Sequence, residues 1–239
     1  MENTRNLFGI EPLFDGEKHL TESGAREYSR REEWSHALTH GIGALFGVGG
    51  LCLLIYKSLQ SGTSGIISAL IFGISIILLY TASFLYHTSS AVFGENTESR
   101  VRDFFMKCDH SIIYILILGT YAPACISGLG GALGYFVLFA VGALCLCGVV
   151  LNVIDVEKYK KISLSLYVIT GWTIALVSGP YFRAVGARGF SLLVLGGVFY
   201  TVGIIFYKLK RIPYMHLIWH LFVIAGSLMH FFMVYFYCI

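Results

Sequence analysis

Two of the eight histidines in this 239-residue chain, His216 and His220, stand four residues apart. On a helix that spacing points both imidazoles from one face. Two such histidines and a third from another helix make the three-ligand set of a catalytic zinc site, whose fourth position stays open. His87 is the candidate third ligand. Ser83 precedes it by one helical turn, in SFLYH at 83–87. Asp109 is the candidate carboxylate, because a carboxylate beside a metal is stabilised as an anion and can hold or deprotonate a water. A zinc ion lowers the pKa of such a water to about 7. Other readings of the same residues stay open. Interfacial histidines bond headgroups or neighbouring carbonyls, which is the reading for His36 and His110. His230 lies about 15 Å further along the helix than His220 and is read as bonding another helix. Asp109 could pair with Lys107 or Arg102 near a helix start, and Ser83 could bond back to a carbonyl of its own helix.

The elements that must position these groups follow from composition. Hydrophobic residues make up 56% of the chain and charged residues 13%. A water-soluble domain carries roughly 25% charged residues, so the charge available here cannot coat a solvated surface. This excludes an ordinary cytosolic enzyme, a disordered chain and a soluble nucleic-acid binder, and no nucleic-acid partner is expected. Long uncharged stretches follow one another, and each is about the length of a membrane-crossing helix of ~20 residues. The run from Ser111 to Ile154 is too long for one crossing, and Gly128, Gly130, Gly131 and Gly134 divide it. The expected fold is an all-α integral membrane protein of seven transmembrane helices, at about 37–56, 66–87, 109–127, 132–154, 162–182, 190–207 and 214–237. Residues 1–35 form a polar tail, with a short interfacial helix expected from about Glu22, and 36–239 form the transmembrane domain. That tail has no apolar segment of the kind a cleavable signal peptide needs. Six cysteines without a CxxC pair read as small buried hydrophobes. Trp34, Tyr56, Tyr86, Tyr181, Tyr214 and Tyr235, near span ends, read as interfacial anchors.

Orientation comes from Lys and Arg. The tail and the second, fourth and sixth loops hold 14 of the 17, and the opposite loops hold only Lys57, Arg183 and Arg188. The N-terminus is therefore expected in the cytoplasm and the C-terminus outside. In that topology four helices bring His40, His87, Asp109, His216 and His220 to the cytoplasmic face.

Four segments carry a family resemblance: EEWSHALTHGIGA at 32–44, SFLYHTSS at 83–90, KCDHSIIYILILGTYAP at 107–123 and HLIWHLFVIAGSLMHF at 216–231. In this order they resemble the haemolysin III family, the bacterial branch of the progestin and adipoQ receptor family. The resemblance covers the chain from Glu32 onward. It implies a seven-helix fold with a cytoplasmic N-terminus. It also implies zinc held by His87, His216 and His220, an aspartate on the zinc-bound water at Asp109, and the serine of an SxxxH motif at Ser83. Ceramidase-type hydrolysis is attributed to such relatives. One departure is that relatives often carry Asn where His36 stands.

Three functions follow. The first is a cell-membrane zinc hydrolase acting on a lipid amide or ester, with membrane lipids around it and a lipid as substrate. The second is a receptor or regulatory membrane protein with structural zinc. The third is a cytolysin or channel. Oligomeric state is not legible in the sequence.

Overall fold

The computed structural model describes residues 27–94 and 100–239. These form α1 (Arg30–Ser58), α2 (Gly62–Phe93), α3 (Arg100–Pro123), α4 (Gly131–Ile154), α5 (Val156–Trp172), α6 (Ser178–Lys208) and α7 (Met215–Tyr237). There is no strand among the described residues. This is the outcome apolar segments of such length require, since a lipid-exposed backbone must bond its own amides internally.

Local chemistry sets the helix ends. Ser29 starts α1 through a capping box: its Oγ accepts from the Glu32 amide at 3.3 Å, and Glu32 Oε2 accepts from the Ser29 amide at 3.0 Å. The long uncharged run breaks where the sequence places its glycines. A π-helical turn, Ala124–Leu129, follows α3, and Gly130 and Gly131 then take φ of 67° and 59°. Positive φ is cheap only for glycine, so the chain turns there and restarts as α4.

Among the described residues, six helical stretches are long and apolar enough to cross a membrane. Five are Arg30–Ser58, Gly62–Phe93, Arg100–Leu129, Gly131–Ile154 and Met215–Tyr237. The sixth, Val156–Lys208, runs for 53 residues through α5, a short 3-10 turn (Thr173–Val177) and α6. The sequence divides this stretch into spans at 162–182 and 190–207. Its regular geometry is interrupted between those spans, at Gly186, with φ 68° and ψ 177°.

Each helix packs on its chain neighbour, and α1 also packs on α7, so the seven helices close into a ring. The inward faces hold a core that includes Phe72, Tyr114, Val141 and Met233. The outward faces are apolar as well: Phe46, Phe139 and Leu176 are 76%, 78% and 86% exposed. A water-soluble bundle reverses this pattern on its outer face, whereas a bilayer is the solvent that suits it. Trp34, Tyr56 and Tyr214 are exposed, as anchors would be. Tyr181 is a correction: it is fully buried, and its hydroxyl donates to Met233 Sδ at 3.0 Å. All six cysteines are free thiols.

Candidate metal centre

The starts of α1, α3 and α7 and the end of α2 meet at one end of the ring. Histidine side chains from three of these helices converge there. His36, His87 and His216 each offer a nitrogen, and the three atoms lie within 4.8 Å of one another. His87 Nε2 and His216 Nε2 are 3.3 Å apart. His220 stands beside this group and not in it: its ring centre is 4.7 Å from that of His216 and 5.0 Å from that of His87, but its nitrogens are not among the three that lie within 4.8 Å of one another. His40 stacks flat on His220 at 3.6 Å, with 9° between the planes.

Glutamates from the first turn of α1 hold this arrangement. Glu33 is sealed from solvent, and its Oε2 lies 2.6 Å from His87 Nδ1. An ionised carboxylate can only accept, so Nδ1–H of His87 donates and Nε2 keeps its lone pair for the cluster. Glu32 Oε1 accepts from the Tyr214 amide at 2.8 Å. That bond ties α1 to the residue that caps α7, two positions before His216.

Burial gives the fit test for a cation. Both nitrogens of His36, both of His40, and Nδ1 of His216 and of His220 are buried without a hydrogen-bond partner. Buried polar atoms are almost always paired. Buried imidazoles with unpaired nitrogens, three of them offering atoms within 4.8 Å of one another, suit a bound transition metal, and an all-imidazole set suits zinc. The residues present therefore fit the ion.

A cavity of about 190 Å³ adjoins the cluster. Ser83, Asp109, His216 and His220 line it, and Leu79, Ile113, Ile117, Val168 and Val223 supply apolar wall. Asp109 is held on a pinned turn of α3. The next residue's carbonyl, that of His110, accepts from Asn152 Nδ2 on α4 at 3.1 Å and from Tyr167 Oη on α5 at 2.6 Å.

Comparison with known proteins places the chain. The profile of the family described as Haemolysin-III related matches residues 28–231. The chain belongs to this haemolysin III-related family. It is 40% identical over 213 residues to the "Hemolysin-3 homolog" of Bacillus subtilis, covering 89% of this chain and 97% of that protein. It is 38% identical over 208 residues to the "Hemolysin-3" of Bacillus cereus, covering 87% and 92%. A more distant relative is the human "Monocyte to macrophage differentiation factor", 29% identical over 172 residues, covering 72% and 70%. Family and apolar helices together make the chain a multi-pass membrane protein, as expected of a bacterial cell-membrane protein.

In this haemolysin III-related chain the candidate ligands His87, His216 and His220 stand together. Ser83 and Asp109 face the same cavity as two of them. Lys107, offered as a partner for Asp109, donates instead to the Val153 carbonyl at 2.7 Å. His110 bonds the Met106 carbonyl at 3.0 Å, and His230 bonds the Leu193 carbonyl at 3.1 Å. The haemolysin III-related site departs from the sequence reading at the start of α1. His36, read as interfacial, is wholly buried within the cluster, and Glu32 and Glu33, assigned to the solvated tail, are each only 2% exposed. The available signal was spacing: Glu33, His36 and His40 recur at three and four residues, one face of a helix.

Proposed function

We propose that this chain is an integral-membrane hydrolase of lipid amide or ester bonds, dependent on zinc held by His87, His216 and His220. The observation that carries this reading is the shared cavity, in which Ser83 and Asp109 meet His216 and His220 within largely apolar walls. Zinc bound there supplies Lewis acidity toward a carbonyl and makes a water acidic near neutral pH. Asp109 is the proton acceptor, its carboxylate facing the cavity where water enters. Ser83 donates its hydroxyl to the oxygen that gains charge as the carbonyl is attacked. The apolar wall takes an acyl chain, and the pinned turn of α3 keeps the Asp109 carboxylate aligned without reorganisation.

The reading includes a topology of seven crossings, with the N-terminus in the cytoplasm. The 53-residue stretch spans about 80 Å as a helix, more than twice a hydrocarbon core of about 30 Å, so it crosses twice with its turn at Gly186. Arg183 and Arg188 flank that turn on the less basic side. The metal centre then lies on the cytoplasmic side, within reach of membrane lipids.

A regulatory protein with structural zinc is the second reading. It is favoured by ligands drawn from α2 and α7, far apart in the chain, which an ion would stitch together. Asp109→Asn separates the two. It should retain one zinc by metal analysis in either case, and abolish release of fatty acid from a lipid extract only if the chain is a hydrolase. Wild-type protein that carries zinc and cleaves no lipid would leave the structural reading. His220→Ala should lose the metal, and full occupancy in that variant would sink the ligand set.

A further inference from the structure

The cavity beside Asp109 has a floor. Its lining residues follow each helix away from the histidine end and then stop, at Thr120 on α3, Trp172 on α5 and Gly197 on α6. Among the described residues, none further along these three helices lines it. Trp172 bridges α5 and α6 at this level. Its indole N–H donates to Thr201 Oγ1 at 2.9 Å, and that hydroxyl donates on to the Gly197 carbonyl at 2.7 Å. Gly197 leaves the room the ring needs, since a Cβ there would stand 3.3 Å from the indole. α5 and α6 meet at few points, so the bridge joins two helices that otherwise stand apart.

The backbone behind the indole is fixed as well. The regular helix of α5 ends at Trp172 and the chain goes on as the 3-10 turn. Such a change shifts the backbone bonding pattern, and Tyr121 on α3 takes up the groups involved. Its hydroxyl accepts from the Ile174 amide at 2.8 Å and donates toward the Thr170 and Gly171 carbonyls, both at 3.0 Å. Tyr121 is itself buried. The indole is thus held from its ring side by α6 and from its backbone side by α3.

We propose that Trp172 ends the acyl pocket and sets the longest chain that the cavity accepts, about 13 carbons. This rests on the reading above that an acyl chain lies along the apolar wall, and it adds the length. Thr120 stands eleven positions after Asp109 on α3, a rise of about 16 Å. α6 gives a separate measure. Tyr207 lies within electrostatic reach of Asp109, and Gly197 is ten positions before it on α6, about 15 Å away. A chain of staggered C–C bonds of about 1.5 Å advances about 1.25 Å per carbon, which gives the figure of 13. A longer chain has to displace an indole bonded to Thr201 and packed on Gly197. A shorter one leaves apolar wall without contacts.

The test is hydrolysis, by detergent-purified, zinc-loaded full-length protein, of lipid amides and esters that differ only in acyl length. The series runs from well below to well above the expected limit. kcat/KM should peak near that limit and fall by about tenfold or more for chains about four carbons longer. Trp172→Ala should move the peak to longer chains. Val168→Phe, which enlarges a lining residue one turn nearer the entrance on α5, should move it to shorter ones. Opposite shifts do not arise from a general loss of fold. Binding supplies a second readout that needs no turnover. Fatty acids brominated at the terminal carbon quench a tryptophan they touch. Quenching should peak at the same length in the wild type and lose that peak in Trp172→Phe. Wild-type protein that cleaves all lengths alike, or a peak that stays in place in both pocket variants, overturns the length limit and leaves the hydrolase standing. If the wild type cleaves no lipid the proposed function falls. The quenching series then decides the limit alone: a peak upholds it and flat quenching overturns it.

Discussion

Glu33 carries a buried carboxylate whose partner, His87, lies 54 positions further along the chain. Carboxylates bound to the far nitrogen of a ligating histidine fix its tautomer and raise its basicity, and losing one costs about 10–100-fold in metal affinity. Glu33→Ala is therefore expected to weaken zinc binding by about that factor in competition with a chelator. Glu33→Gln, which keeps an acceptor and loses the charge, should fall between. Unchanged affinity in both would mean that the pair is structural only. At this scale the sequence displayed His216 and His220 because their spacing lies within one helix. It hid Glu33 and His36 because both stand at the polar edge of an apolar segment. There a hydropathy boundary looks the same whether the residue faces water or another helix. What decides between those is the packing of α7 on α1, a contact between the two ends of the chain.

Helices were the most legible level. Uncharged length announces a crossing, and the glycines at 130 and 131 marked the turn between α3 and α4. Less visible was how closely the helices approach. Gly196 on α6 lies against the His230 ring on α7, so a Cβ there would occupy the space of that imidazole. His230 would then have to leave the Leu193 carbonyl. Gly196→Ala should destabilise the protein by about 1–3 kcal/mol, read as a lowered melting temperature in detergent, with no loss of zinc because His230 lies outside the cluster. An unaltered melting temperature would show that α6 and α7 can part without cost. Tyr214 makes a related point. It adopts φ 62°, uncommon for a bulky residue, and the Glu32 carboxylate holds its amide there. No local signal in the sequence marks a left-handed tyrosine, because its cause lies on another helix.

For the whole molecule, the prediction concerns sidedness. The proposed topology, seven crossings with a basic cytoplasmic face, puts Ile239 outside. A periplasmically active reporter fused after it should be active, and one that works only in the cytoplasm silent. The reverse pattern would refute the topology and move the metal centre to the other face. Composition alone was enough to assign the chain to a membrane, since the outward residues are as apolar as the inward ones. The closure of the ring was not legible, because it depends on a contact that no sequence window contains.

That closure bears on biogenesis. His36 and His87 enter the membrane early in synthesis, while His216 and His220 emerge with the final helix. During that interval Glu33 and His87 have no ion to serve, and the Glu32 carboxylate waits for an amide not yet made. The centre can be completed only once the last segment has been inserted and docked on the first. On the proposed zinc reading, metal uptake is a late assembly step, coupled to folding. Chains truncated before α7 should reach the bilayer without acquiring zinc, which would leave them open to a quality-control protease that clears loosely packed helices.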